Sequence, residues 1–145
     1  MVRTGMEILY TASALSTGDG RNGHVRTSDA TLDVDLAVPK EMGGPGGGLN
    51  PEALFAAGYA ACFHSALRGV ARSQQLTLAD ESVTAEVSIG PNGQGGYGLS
   101  VVLRVELPGL APEQADALVE AAHQVCPYSN ATRGNVDVEL DVTVG

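Results

Sequence analysis

Two side chains in this sequence are soft, redox-active nucleophiles: Cys62 and Cys126, the only cysteines among 145 residues. As a thiolate, cysteine attacks electrophiles, binds metals and joins a second sulfur. Cys62 lies in Asn50-Pro51-Glu52-Ala53-Leu54-Phe55-Ala56-Ala57-Gly58-Tyr59-Ala60-Ala61-Cys62-Phe63, and Cys126 in His123-Gln124-Val125-Cys126-Pro127-Tyr128-Ser129. Two cysteines do not make a structural disulfide framework in a reducing compartment, and they are too few for a typical structural zinc site. His64 and His123 would complete a set of two Cys and two His. However, Cys62 and His64, two apart on a helix, point to different sides. No metal and no cofactor is therefore expected. Taken singly, each cysteine also fits the role of a small buried hydrophobe.

The elements that carry them follow from local pattern. Asn50 suits a helix cap, Pro51 the first helical position and Glu52 the positive end of the dipole. The run is then almost wholly apolar until Arg68 and Arg72, which predicts a buried helix over about 50–72. Small residues Ala56, Ala57, Gly58, Ala60 and Ala61 permit close backbone approach, so a second subunit is expected to cover part of it. A second helix is expected from Pro112 to Pro127, with Ala115, Leu118, Val119 and Ala122 on one face. Strands are expected at 7–15 and 24–28 around the turn Thr17-Gly18-Asp19-Gly20-Arg21-Asn22-Gly23. Further period-2 runs lie at Leu32–Val38, Val83–Ile89, Leu99–Leu107 and Val136–Val144. The segment Met42-Gly43-Gly44-Pro45-Gly46-Gly47-Gly48 reads as a connector. It is not a phosphate loop, because no Gly-Lys-Ser/Thr follows. The order β-β-β-α-β-β-α-β makes residues 1–145 a single α+β domain with mostly antiparallel strands and a helix nearly surrounded by sheet.

Composition narrows the partners. Seventeen acids against eight bases give a net charge of −9, which argues against nucleic acid and anionic membranes. Hydrophobic content of 43% is globular, while charged content of 17% is low for a free monomer surface. Residues 1–7 lack a signal-type apolar core and no run approaches a membrane span, so a soluble, cytoplasmic protein is expected.

Taken together, the two motifs resemble the OsmC/Ohr family. The first is the run from Asn50 to Phe63; the second is His123-x-x-Cys126-Pro127-Tyr128-Ser129-x-Ala131-x-Arg133-Gly134-Asn135-Val136. The resemblance covers essentially the whole chain, including Met42-Gly43-Gly44 and Arg21, and the Cys-Pro-Tyr-Ser form favours the organic hydroperoxide resistance branch. One departure is Asp19-Gly20 before Arg21, where a second glycine is common. The resemblance implies sheets wrapped around a central helix in an intertwined homodimer. It also implies a thiol peroxidase with Cys62 as peroxidatic and Cys126 as resolving cysteine, and with Arg21 and Glu52 in the active site. Organic hydroperoxides, alkyl and fatty-acid types, are the implied substrates, and a lipoylated protein or dihydrolipoamide the implied reductant.

The chemistry accounts for each assignment. Burial raises a thiol's pKa, and an always-charged Arg21 offsets that, with Glu52 holding its orientation. Met42, Phe55, Tyr59, Phe63 and Tyr128 are candidates for an apolar substrate pocket, although core packing is the better account of any one of them taken singly. Glu52 and Cys62, ten residues apart, are roughly 15 Å apart on a straight helix. Either the helix is interrupted between them, or Glu52 of one subunit serves Cys62 of the other. A non-catalytic redox sensor and a binding module for apolar ligands are the alternative functions.

Overall fold

The alternating run through Leu103 becomes the middle strand of a three-stranded sheet, and the rest of the C-terminal part packs around it. The structure is a computed structural model and describes residues 5–145. The chain divides after Pro51 into two compact units. The first holds β1 (Ala14–Thr17), β2 (His24–Thr27) and β3 (Asp33–Asp35), an antiparallel sheet in that order. The second holds α1 (Pro51–Ser73), β4 (Ser82–Pro91), β5 (Tyr97–Glu106), α2 (Pro112–Val125), α3 (Pro127–Thr132) and β6 (Asp137–Thr143). The architecture is α+β, as expected.

In the first unit the strand expected at 7–15 begins only at Ala14. Residues 7–13 carry the apolar alternation but form no ladder, and Leu9 and Tyr10 are 90% and 81% exposed. Apolar periodicity marks a chain able to pair; hydrogen bonds require a partner strand. The β1–β2 turn is a short 3-10 turn, Gly20–Asn22. A Cβ on Gly23 would meet the Thr17 carbonyl oxygen at 2.3 Å, so only glycine closes this turn. Asn22 Oδ1 accepts a bond from the Val38 N–H at 2.8 Å, tying the turn to the segment after β3. On β2, His24 sits between Asp35 and Asp33, with Nδ1 and Nε2 at 2.7 and 2.5 Å from their carboxylates. Bonds to Asp35 and then Asp33 raise its pKa.

In the second unit β4 pairs with β5 antiparallel over its whole length, from Ser82↔Glu106 to Pro91↔Tyr97. β6 joins the other edge of β5 in parallel, from Ser100↔Asp137 to Glu106↔Thr143. Among the described residues three of the four ladders are thus antiparallel. The parallel one has a physical cause, since α2 and α3 form the crossover that parallel strands require. Inward side chains of β5 recur every two residues (Val101, Leu103, Val105) and meet helix positions recurring every four (Tyr59, Phe63, Leu67, Ala71). Ala115, Leu118, Val119 and Ala122 of α2 complete this core, on the face expected for them. On the outer face Arg104 bridges the sheet, bonding Glu86 of β4 at 3.0 Å and Asp141 of β6 at 2.5 Å.

α1 runs uninterrupted for 23 residues. One face is buried against the sheet and α2, while Ala57, Ala61 and Ser65 on the far side are exposed. Among the described residues no helix is long and apolar enough to cross a membrane. α1 is further pinned to the start of β4 through Glu81, whose side chain is only 7% exposed. Its carboxylate accepts from His64 Nε2 at 2.9 Å and Arg68 Nη1 at 2.5 Å. These bonds, His64 first, lower its pKa from 4.5 to about 2.

A group whose folded pKa is depressed stabilises the fold above its unfolded pKa and loses that effect as pH falls through the folded one. Chemical denaturation at a series of pH values is therefore expected to show stability lost between pH 4.5 and about 2, with the part due to this cluster absent in Glu81→Gln. An identical acid limb in that variant would remove Glu81 from the account.

Candidate redox-active thiol site

Cys62 lies midway along α1, and Cys126 stands at the corner where α2 ends and α3 begins. The corner is sharply built. Cys126 has extended backbone (φ −61°, ψ 123°), its N–H closes the last turn of α2 on Ala122 at 2.9 Å, and its carbonyl opens α3 by accepting from the Asn130 N–H at 2.9 Å. Pro127 occupies the first position of α3, where its missing N–H costs nothing. This six-residue helix is absent from the sequence reading because it is too short to show a helical period. Its signal is Pro127 followed by residues free of helix breakers.

The corner sets Cys126 Sγ 3.5 Å from Cys62 Sγ, both as free thiols. The two differ in access, for Cys126 is fully buried and Cys62 is half-buried. Burial pushes the Cys62 thiol up; the Tyr128 N–H bonded to its sulfur pulls the other way, and the adjacent Cys126 pushes it up further. Along the exposed side of Cys62 runs a groove of about 620 Å³, lined by Cys62, Ala66, Gly69, Val70, Val125 and Pro127 among others.

Around the corner an aromatic cluster joins α1 to α3. Tyr128 stacks on Phe55 with ring centroids 5.8 Å apart and meets Tyr59 at 5.7 Å. A Cβ on Gly58 would come within 3.1 Å of the Tyr128 hydroxyl, so the glycine lets that ring lie against the helix. Behind it, Tyr59 Oη is 2.8 Å from Ser129 Oγ and 3.1 Å from Thr132 Oγ1, and Ser129 Oγ is 2.7 Å from His123 Nδ1. Burial, then the charge of Arg133, lowers the His123 pKa, which Glu120 partly offsets. Arg133 also donates to the His123 carbonyl at 2.5 Å.

The sequence-derived residues divide accordingly. Cys62, Cys126, Phe55, Tyr59, Phe63 and Tyr128 gather in the second unit around one junction. Tyr59 and Phe63 are fully buried there, and the Phe63 ring lies 6.5 Å from that of His123. Glu52 is in the first turn of α1 on the same unbroken helix as Cys62, which removes the interrupted-helix alternative. Arg21 lies in the 3-10 turn between β1 and β2, and Met42 ends a second such turn, Lys40–Met42; both belong to the first unit. Ser129 stands in the second motif with no role assigned to it there, and the structure buries its hydroxyl between Tyr59 and His123. A serine one helical turn after the cysteine, beside a tyrosine one turn before the other, is the signal that marks it. Among the described residues no three His, Cys, Asp or Glu side chains converge as a metal set.

Sulfurs 3.5 Å apart need only a small approach to reach the roughly 2.05 Å of a disulfide. Mild oxidation with diamide is thus expected to join Cys62 to Cys126 within one chain, as read by peptide mapping without reductant. Mixed or intermolecular disulfides in place of this bond would contradict the geometry.

The OsmC-like protein family model matches residues 44–141. An organic hydroperoxide resistance protein of Xanthomonas axonopodis pv. citri is 53% identical over 136 residues, covering 92% of this chain and 94% of that protein. The organic hydroperoxide resistance protein OhrB of Bacillus subtilis is 45% identical, covering 92% and 98%. Among solved structures, an organic hydroperoxide resistance protein OsmC from Legionella pneumophila superposes with a TM-score of 0.91 at 56% identity, covering 95% of this chain and all of that one. With a thiol pair at the junction of the two motifs and agreement along nearly its whole length, the chain belongs to the OsmC family, on its organic hydroperoxide resistance branch.

Proposed function

We propose that this protein reduces organic hydroperoxides through Cys62 and Cys126 and so protects against oxidative stress. The observation that carries this reading is the pair of free sulfurs 3.5 Å apart, one buried and one partly accessible. The Cys62 thiolate attacks the terminal peroxide oxygen, the O–O bond breaks, and the alkoxide leaves as alcohol after taking a proton; Cys62 becomes a sulfenic acid. Cys126 sulfur then attacks Cys62 sulfur, the S–O bond breaks, and hydroxide leaves as water with the thiol proton. The resulting disulfide is reduced by an external dithiol, dihydrolipoamide or a lipoylated protein, which takes the matching oxidation. Because burial and Cys126 both push the Cys62 thiol up, the reactive thiolate needs a cation. Arg21 is assigned that role, with Glu52 orienting it. The alkyl part of the substrate is assigned to Met42, Phe55 and Tyr128, while the fully buried Tyr59 and Phe63 are left to the core.

The working form in this reading is a cytoplasmic homodimer. Two observations favour the dimer: the exposed apolar residues Leu9 and Tyr10, and the exposed small-residue face of α1. Each is exposed apolar surface of a kind that a partner subunit can cover.

Consumption of cumene hydroperoxide with dihydrolipoamide tests the assignment. Wild-type protein is expected to turn over repeatedly. Cys62→Ser is expected to consume none, and Cys126→Ser to consume one equivalent and accumulate sulfenic acid on Cys62. One equivalent from wild type would mean a sensor, and none a binding module. Arg21→Ala is expected to shift the pH profile of Cys62 alkylation upward and slow peroxide attack, with little recovery in Arg21→Lys. An unchanged profile would assign the thiolate's counter-charge to another group.

The unbroken α1 sets Glu52 and Cys62 of one chain roughly 15 Å apart, which favours a site shared between subunits. Glu52→Ala and Cys62→Ser homodimers are expected to be nearly inactive, and refolding them together to restore activity in the heterodimer. Heterodimers confirmed by native mass spectrometry but lacking activity would refute the shared site.

A further inference from the structure

Two bridges join α1 to the α2–α3 corner, and each has one foot a single helical turn from the other's. Tyr59 precedes Cys62 by three residues on α1, and Ser129 follows Cys126 by three. One bridge is the thiol pair at 3.5 Å, the other the hydroxyl pair at 2.8 Å. Residues three apart on a helix share a face, so the bridges run side by side. The hydroxyl bridge is the stiffer one. Both its residues are fully buried, and it belongs to a chain of polar contacts, with the Tyr59 and Ser129 hydroxyls 2.8 Å apart and Ser129 Oγ 2.7 Å from His123 Nδ1. Thr132 Oγ1 in turn lies within reach of the Tyr59 oxygen and of the Ser129 carbonyl. A buried hydroxyl without its partner is costly, so this chain resists sliding of α1 against α3.

The thiol bridge has no comparable restraint. A sulfur–sulfur contact at 3.5 Å is weak, and Tyr59 and Ser129 contact neither sulfur in any bond described. Disulfide formation nevertheless needs the attacking sulfur already at near-attack distance, roughly 3–3.5 Å, and a displacement of about 1 Å costs up to a hundredfold in rate. We propose that Tyr59 and Ser129 are positioning residues for the disulfide-forming step, their buried hydroxyl bond fixing the spacing at which Cys126 Sγ faces Cys62 Sγ. The inference rests on the thiol-pair reading above. In the step concerned, Cys126 sulfur bonds Cys62 sulfur, the Cys62 S–O bond breaks, and water leaves carrying the Cys126 proton. Tyr59 and Ser129 exchange no atom in it.

The test separates peroxide attack from disulfide formation after one equivalent of cumene hydroperoxide, with dimedone present to trap sulfenic acid. Wild-type protein comes first: if no Cys62–Cys126 disulfide forms, the thiol-pair reading itself fails. If it forms, Ser129→Ala is expected to slow its formation about tenfold while changing the rate of peroxide attack less than twofold, a shift set by the steepness of rate with reactant spacing. The dimedone adduct on Cys62 is expected to rise at the expense of disulfide. Tyr59→Phe, which keeps the ring and removes only the hydroxyl, is expected to shift the same ratio and decides the matter if Ser129→Ala does not fold. An unchanged ratio of adduct to disulfide, or equal slowing of both steps, would overturn the proposal and leave the hydroxyl bridge as core packing.

Discussion

The stripe Tyr59, Phe63, Leu67 and Ala71, seated on alternate residues of β5, is the contact on which the second unit depends. Spacing by four on a helix and by two on a strand lets the two surfaces mesh over almost 20 Å of α1. Once that stripe is buried, Cys62 is turned to the flank of the helix, where α2 ends. The same packing leaves the opposite flank of α1 without cover from its own sheet. Position of Cys62 and exposure of the helix are thus two results of one constraint.

Much of this was legible in residue patterns. The strict alternation in β4, β5 and β6 and the capped apolar run of α1 identified elements with nearly correct bounds, because each is long enough to show its period. An element without a full period was lost, α3 with its six residues, whereas the strand expected at Leu32–Val38 is present but shortened to Asp33–Asp35. Residues 7–13 show the converse, a strand-like pattern without a ladder. Periodicity reports which side chains seek burial, not where the partner is. The parallel pairing of β6 likewise followed from the crossover through α2, a matter of topology that a strand's own residues do not encode.

For the thiol site, residue types pointed to Cys62 and Cys126, and the resemblance to their pairing. Their 3.5 Å separation depends on the turn at Cys126, which no spacing rule specifies across a sequence separation of 64. Ser129 stood in the second motif without a role of its own for a related reason. A single serine becomes consequential only when its hydroxyl is buried between a tyrosine and a histidine. Burial also works against the proposed reaction, since it disfavours the Cys62 thiolate that would attack. The Tyr128 N–H opposes this, as a neutral donor on a partly desolvated sulfur.

The parallel ladder of β5 and β6 has a consequence for biosynthesis. Residues 107–136 form the loop that must close before that ladder exists, and Cys126 is carried inside it. Because closing a long connection precedes the contacts that reward it, such pairing is a late event in folding. On the ribosome Cys62 emerges first, then Cys126, and only afterwards the strand that clamps the crossover. Both thiols are therefore on the nascent chain before the ladder that closes the crossover around Cys126 can form.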